Sequence, residues 1–177
     1  MKNGHGLSNK ETDECYTPYY AVYPLLKYLK KDKIIWCPFD KENSEYVKTF
    51  KENGFKVIFS HIEEDKDFFE YEPENYDIII SNPPFSLADK ILERLYKLGK
   101  PFIILLPLKY LQAKGRGKLY IKNGIQLLSF DKRVGYYTCG DMTKVKEGNY
   151  QASSYFCWKA LPKELIIEEL NKEIKRA

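Results

Sequence analysis

The chain has 177 residues, 44% hydrophobic and 31% charged, with 29 basic against 25 acidic side chains and a net charge of +4. That length suits one core of the usual domain size, and the composition excludes a disordered or membrane-embedded chain; the longest apolar stretch, residues 103–108, falls far short of the roughly 20 residues a bilayer span needs. Residues 1–6 lack the apolar core of a secretion signal, and four scattered cysteines with two histidines argue against a zinc site or disulfide scaffold, so reduced thiols, no metal and a cytoplasmic location are expected.

Residues 1–15 read as a flexible polar arm ahead of a single domain over residues 16–177. Apolar positions at Val22, Leu25, Leu26 and Leu29 recur at three- and four-residue spacing, which predicts a helix over 19–31. Residues 34–37 form a short buried strand stopped by Pro38. Residues 41–53 carry Tyr46, Val47 and Phe50 on one side and end at Gly54, a normal helix stop. A second strand covers 56–62 and a third 76–81. Residues 87–98 are helical, with Ile91, Leu92 and Leu95 inward and Gly99 as the cap, and 102–106 are a fourth strand. Beyond them the spacing predicts a helix over 109–122 interrupted at Gly115 and Gly117, a strand over 125–130, a long loop over 131–150, a final strand over 153–158 and a closing helix over 161–175. Strands alternating with helices imply parallel crossover units in a three-layer α/β/α sandwich, whose ligands sit at the carboxyl ends of the strands.

Charge is unevenly spread. Residues 94–133 hold ten basic side chains and one acid, Asp131, a net +9, so the rest of the chain carries −5. Acids gather at Glu63, Glu64, Asp65, Asp67, Glu70, Glu72, Glu74 and Asp77. This asymmetry suits a polyanion on one face, with Lys109, Lys114, Arg116, Lys118, Lys132 and Arg133 as candidate nucleic-acid contacts. Tyr136, Tyr137 and Tyr150, interleaved with Lys144 and Lys146, suit a strand-binding surface. The bland alternative is a solvated basic face that aids solubility.

At the end of the third strand stands Asn82-Pro83-Pro84-Phe85. Two prolines remove two backbone donors and stiffen the turn, leaving carbonyl acceptors, one amide and one aromatic ring. An exocyclic amine on a flat heterocycle complements that set: Asn82 Oδ1 and the Pro83 carbonyl accept its N–H bonds while Phe85 stacks on the ring. The bland alternative is a strand-to-helix turn with Phe85 in the core.

With these motifs the chain resembles the S-adenosylmethionine-dependent amino-methyltransferases, in particular the N6-adenine DNA methyltransferases and, in appearance, their small phage- or prophage-type members. The resemblance runs from about residue 16 to 158. It implies a Rossmann-like fold with a mostly parallel sheet and an antiparallel C-terminal strand. Asn82, Pro83, Pro84 and Phe85 would then be the catalytic motif. Tyr16-Thr17-Pro18, Pro38-Phe39-Asp40, His61 and Asp67-Phe68 would line the S-adenosylmethionine site, with DNA as partner. One departure is plain: a glycine-rich turn normally follows Pro-Phe, whereas this chain has no glycine between Pro38 and Gly54. The alternatives are methylation of RNA or of a protein amide, or a catalytically silent nucleic-acid-binding module that keeps the fold.

Overall fold

A computed structural model describes residues 16–138, 141–146 and 151–176; the expected arm over 1–15 and Tyr150 lie outside the described residues. Seven strands form one sheet: β1 (Ile34–Cys37), β2 (Lys56–Phe59), β3 (Ile78–Ser81), β4 (Phe102–Pro107), β5 (Gln126–Phe130), β8 (Ser153–Trp158) and β9 (Leu165–Glu168). Their order is β2-β1-β3-β4-β8-β5-β9. All pairings are parallel except the two made by β8, which runs antiparallel between β4 and β5. The expected parallel sheet with an antiparallel late strand is therefore the observed one.

The two-residue side-chain period of a strand sorts the core into two layers. Ile35, Ile80, Ile103, Leu105 and Tyr155 point to one face. There they pack against α1 (Tyr19–Val22) and α2 (Glu45–Glu52), through Tyr20, Val22, Tyr46, Val47 and Phe50. Trp36, Ile79, Ile104, Leu106 and Phe156 point to the other. That layer is covered by α3 (Ala88–Leu98) with Ile91, Leu92 and Leu95, and by α4 (Lys114–Asn123) with Tyr120. Gly99 closes α3 at φ 69°, a left-handed conformation that a side chain disfavours.

Five expectations are corrected. The helix over 19–31 is one α turn that tightens to a 3-10 helix over Tyr23–Tyr28, because Pro24 supplies no N–H to an α ladder. The helix expected from residue 41 begins at Glu45, where the Ser44 hydroxyl accepts from Val47 N–H at 3.2 Å. Gly115 and Gly117 do not interrupt α4 but lie inside it, after a separate 3-10 turn over Leu108–Leu111. The loop over 131–150 contains a hairpin of β6 (Tyr136–Thr138) and β7 (Asp141–Lys146), its register broken between Tyr137 and Thr138.

The largest correction is at the C-terminal end. Residues 165–168 form an edge strand parallel to β5 in place of a closing helix. Open backbone groups along β5 explain the override: Leu127 N–H donates to the Glu164 carbonyl at 2.7 Å and Asp131 N–H to the Glu168 carbonyl at 2.9 Å. Gln126 reinforces the docking, since its carbonyl accepts from Ala160 and Leu161 N–H and its amide donates to the Leu161 carbonyl.

Candidate functional site

Parallel β1, β2 and β3 deliver their carboxyl ends to one edge, where the chain opens a cavity of about 370 Å³. Pro38, Phe39 and Asp40 reach it after β1, His61 and Ile62 after β2, and Asn82 and Pro84 after β3. Tyr16 and Thr17 close it from the N-terminal side, held there by Tyr137 N–H donating to the Tyr16 carbonyl at 3.0 Å. Asp67 and Phe68 complete the set, so ten of the sequence-predicted positions share one cavity. Pro18, Pro83 and Phe85 do not line it. Pro18 instead starts α1, its carbonyl accepting from Ala21 N–H at 3.0 Å.

Phe39 and Phe68 give the cavity an aromatic wall, their ring centres 4.8 Å apart. Phe68 also packs on Trp36 at 5.6 Å, so the wall is continuous with the core. Asp67 fixes that segment by accepting from Phe69 N–H at 3.0 Å, and its backbone carbonyl accepts from Tyr71 N–H at 2.7 Å.

Asp40 is the buried charge of the site, only 7% exposed. Desolvation lifts its carboxyl to about 6, opposed by hydrogen bonds from Ser81 and Ser44. Both serines have a second task. Ser44 caps α2, and Ser81 is the last residue of β3, directly before Asn82. Through this carboxylate the loop after β1, the start of α2 and the Asn-Pro-Pro turn are one hydrogen-bonded unit. The Asp40 backbone is pinned as well, its N–H donating to the Ser60 carbonyl at 3.2 Å.

Where a glycine turn was missing, charged side chains stand at the mouth. Lys41 lines the cavity and pairs with Glu63 at 2.6 Å, joining the loop after β1 to the turn after β2. His61 Nδ1 accepts from Glu63 N–H at 3.2 Å. Through Nδ1 the His61 ring thus caps the short 3-10 turn that follows β2. Phe69 lines the cavity as part of the Asp67-Phe68-Phe69 segment, and Lys41 and Ser44 as part of the loop that follows Pro38-Phe39. Glu45, Tyr46, Ile62 and Leu87 line it without having been singled out from sequence. They belong to no motif and are brought in by the tertiary fold.

Phe85 departs from the expected exposed ring. It is half-buried, wedged between both core layers and edge-on to Tyr136 at 6.4 Å. Its carbonyl accepts from the Tyr110 hydroxyl at 2.7 Å, which ties the turn to the segment after β4. The Pro84 carbonyl accepts from Leu87 N–H at 3.2 Å and starts the short helix that leads into α3.

The basic candidates fall into two groups. Lys109 follows β4, Lys114 and Lys118 lie on α4, and Lys132 and Arg133 follow β5; all five are exposed, and both strands end at the cavity's edge of the sheet. Lys132 also reaches the Leu170 carbonyl at 3.3 Å. Arg116 differs from these five. Its guanidinium pairs with Asp89, donates to the Tyr110 carbonyl at 3.0 Å and lies 4.6 Å from the centre of the Tyr110 ring, so it is spent on holding α4 to α3. No helix among the described residues is long and apolar enough to cross a membrane.

No protein-family model matches the chain. In sequence it is 26% identical over 175 residues to the Type II methyltransferase M.EcoRI of Escherichia coli, with 70% of this chain and 54% of that protein covered. The chain thus spans about half the length of that relative. In structure it resembles a protein of Listeria monocytogenes described as a class I S-adenosylmethionine-dependent methyltransferase, with a TM-score of 0.51, 13% identity, and 94% of this chain and 68% of that one covered. A second solved structure, the methyltransferase subunit of a type I restriction-modification system from Streptococcus thermophilus, gives a TM-score of 0.49 at 14% identity, covering 94% of this chain and 50% of that one. The Listeria likeness is one of fold.

Proposed function

We propose that this chain transfers a methyl group from S-adenosylmethionine to the N6 amine of adenine in DNA. The observation that carries the reading is the shared cavity: Asn82 and Pro84 of the Asn-Pro-Pro-Phe turn line the same space as Phe39, Phe68, Asp40 and Lys41. Those residues fit the cofactor by donor chemistry. Phe39 and Phe68 suit its adenine, Asp40 its ammonium and Lys41 its carboxylate, and side chains would take the place of a glycine cradle. S-adenosylmethionine, when bound, supplies the methyl group as an electrophile.

The chain's own task is to make the amine a better nucleophile and hold it still. The lone pair of N6 is delocalised into the ring, so acceptors on its two N–H groups restore part of its nucleophilicity. Asn82 Oδ1 takes one of these bonds. The second is assigned to the Pro83 carbonyl, which lies outside the cavity lining and would be reached as the base enters the turn. The serine–carboxylate unit behind Asn82 keeps the acceptor from moving, and fixed acceptors act most strongly in a site shielded from water. Adenine in duplex DNA must leave the stack to reach the turn, at a cost of a few kcal/mol. Likeness to a type II methyltransferase and exposed lysines at the same sheet edge favour DNA as the acceptor.

The test is mass spectrometry of DNA, RNA and protein from cells expressing the parent and Asn82→Ala. N6-methyladenine in DNA from the parent and none from the variant is expected. Equal methylation with both proteins overturns the role of Asn82, and a mark confined to RNA or protein overturns the substrate.

A further inference from the structure

β9 is the last strand of the sheet on the side far from β2, and among the described residues no strand pairs with its outer edge. Because Glu164 and Glu168 turn their carbonyls to β5, alternation along the strand turns the backbone N–H and C=O groups of Leu165 and Ile167 outward. The side chains of the same two residues project on the α3–α4 side of the sheet, beside Leu127 and Ser129, where they are 57% and 67% exposed. Ile166 faces the opposite layer and packs there. An edge strand with outward hydrogen-bonding groups and exposed apolar side chains is a template for another strand.

We infer that β9 pairs antiparallel with β9 of a second copy of this chain, joining two seven-stranded sheets across a two-fold axis at Ile166. The register follows from three requirements. Outward backbone groups belong to residues 165 and 167, and in an antiparallel ladder opposed residues with facing groups exchange both N–H···O bonds. Centring on Ile166 sets Leu165 against the partner's Ile167 twice, so four hydrogen bonds form and each exposed apolar side chain meets another. The same register, continued beyond the strand, sets exposed Lys163 against the partner's Glu169 at both ends. Shifting the axis to Leu165 or Ile167 opposes an apolar side chain to a charged one instead. On the other face Glu164 meets the partner's Glu168, a carboxylate already engaged by Lys27 and the Tyr28 hydroxyl.

Antiparallel pairing reverses the second sheet, so the two cavities open on opposite edges and each copy meets its substrate separately. Association therefore leaves methylation per chain unchanged, and its test is independent of the proposed activity. Sedimentation of the full chain over a micromolar to submillimolar range is expected to pass from one chain to two, with Ile167→Lys staying at one. Register is read by disulfide trapping with Cys15 and Cys139 replaced by Ser. Ile166→Cys, at the axis in a closely spaced pair, is expected to cross-link under mild oxidation. Leu165→Cys, which faces the partner's Ile167, is expected to cross-link far less. A parent that stays at one chain throughout overturns the inference, and cross-linking at residue 165 in preference to 166 overturns the register.

Discussion

Asp40 couples the chemistry of the site to the stability of the chain. Its carboxyl titrates at about 6 when folded against an ordinary 3.8. Between those values the folded protein holds a proton that the unfolded chain has released. Stability from this group is therefore fully present below the ordinary value and is lost as pH rises through the folded one. A shift of this size corresponds to about 3 kcal/mol. Asp40→Asn removes the titration but keeps the shape. Urea unfolding at pH 4.5 and 7.5 should show a smaller loss for the variant than for the parent; parallel profiles would mean that Asp40 ionises near its ordinary value. Asp40→Ala should also bind S-adenosylmethionine some ten- to a hundredfold more weakly by calorimetry, since a charge-assisted hydrogen bond contributes about 1.5–3 kcal/mol. Asp40→Glu should lose less. Unchanged affinity in the alanine variant would remove Asp40 from the ammonium contact.

The segment between β4 and β5 divides its charges between holding and binding. Arg116 joins α4 to Asp89 and Tyr110, whereas Lys109, Lys114 and Lys118 are exposed. Arg116→Ala should lower stability by about 1–2 kcal/mol through lost packing and hydrogen bonds. Replacing the three lysines by Ala should leave unfolding unchanged and flatten the salt dependence of duplex binding by about 0.9 per lost phosphate contact. A slope equal to the parent's returns the lysines to a solvated face. Gly115 and Gly117 sit in α4 with open space where a Cβ would go. Gly115→Ala and Gly117→Ala should each stabilise the chain by about 0.5–1 kcal/mol in thermal unfolding, and a loss at either position would mean that the glycine itself is required there.

This element also marks how far sequence reading reaches. Helix α3 was legible because Ile91, Leu92 and Leu95 repeat at the helical period and Gly99 stops it. Two glycines within three residues read as a break in α4, yet tertiary contacts through Tyr120 and Arg116 outweigh about 1 kcal/mol per glycine. The hairpin β6–β7 was hidden by its broken register, which disturbs the period of two. Strand β9 was hidden more deeply. Leu161-Pro162-Lys163-Glu164-Leu165-Ile166-Ile167 carries one base, one acid and apolar residues that a helix would also accept, and only the edge of β5, far away in sequence, decides between them.

At the scale of the whole molecule, the site was legible wherever a strand ends in a short motif, and illegible where the fold brings in residues without one. Asn82-Pro83-Pro84 and Pro38-Phe39 follow buried apolar runs, so parallel topology alone places them at one edge. Tyr46 reaches the cavity only because α2 packs on the sheet, its hydroxyl 3.1 Å from that of Tyr155, which donates in turn to the Ala21 carbonyl at 2.9 Å. The cavity is thus assembled from the N-terminal segment, three strands and α2, elements that an unfolded chain would scatter. A ligand bound there stabilises all of them together by RT ln(1 + [L]/Kd), about 2.7 kcal/mol at a hundredfold excess over Kd. For a chain of this length each kcal/mol raises the unfolding temperature by about 2–4 °C, so saturating S-adenosylmethionine should raise it by about 5–10 °C. Its demethylated product should do the same, and Asp40→Ala should need proportionally more ligand for an equal shift. No shift at millimolar concentration of either compound, with or without DNA, would leave the cavity without its proposed occupant and favour a nucleic-acid-binding module that has kept the sheet.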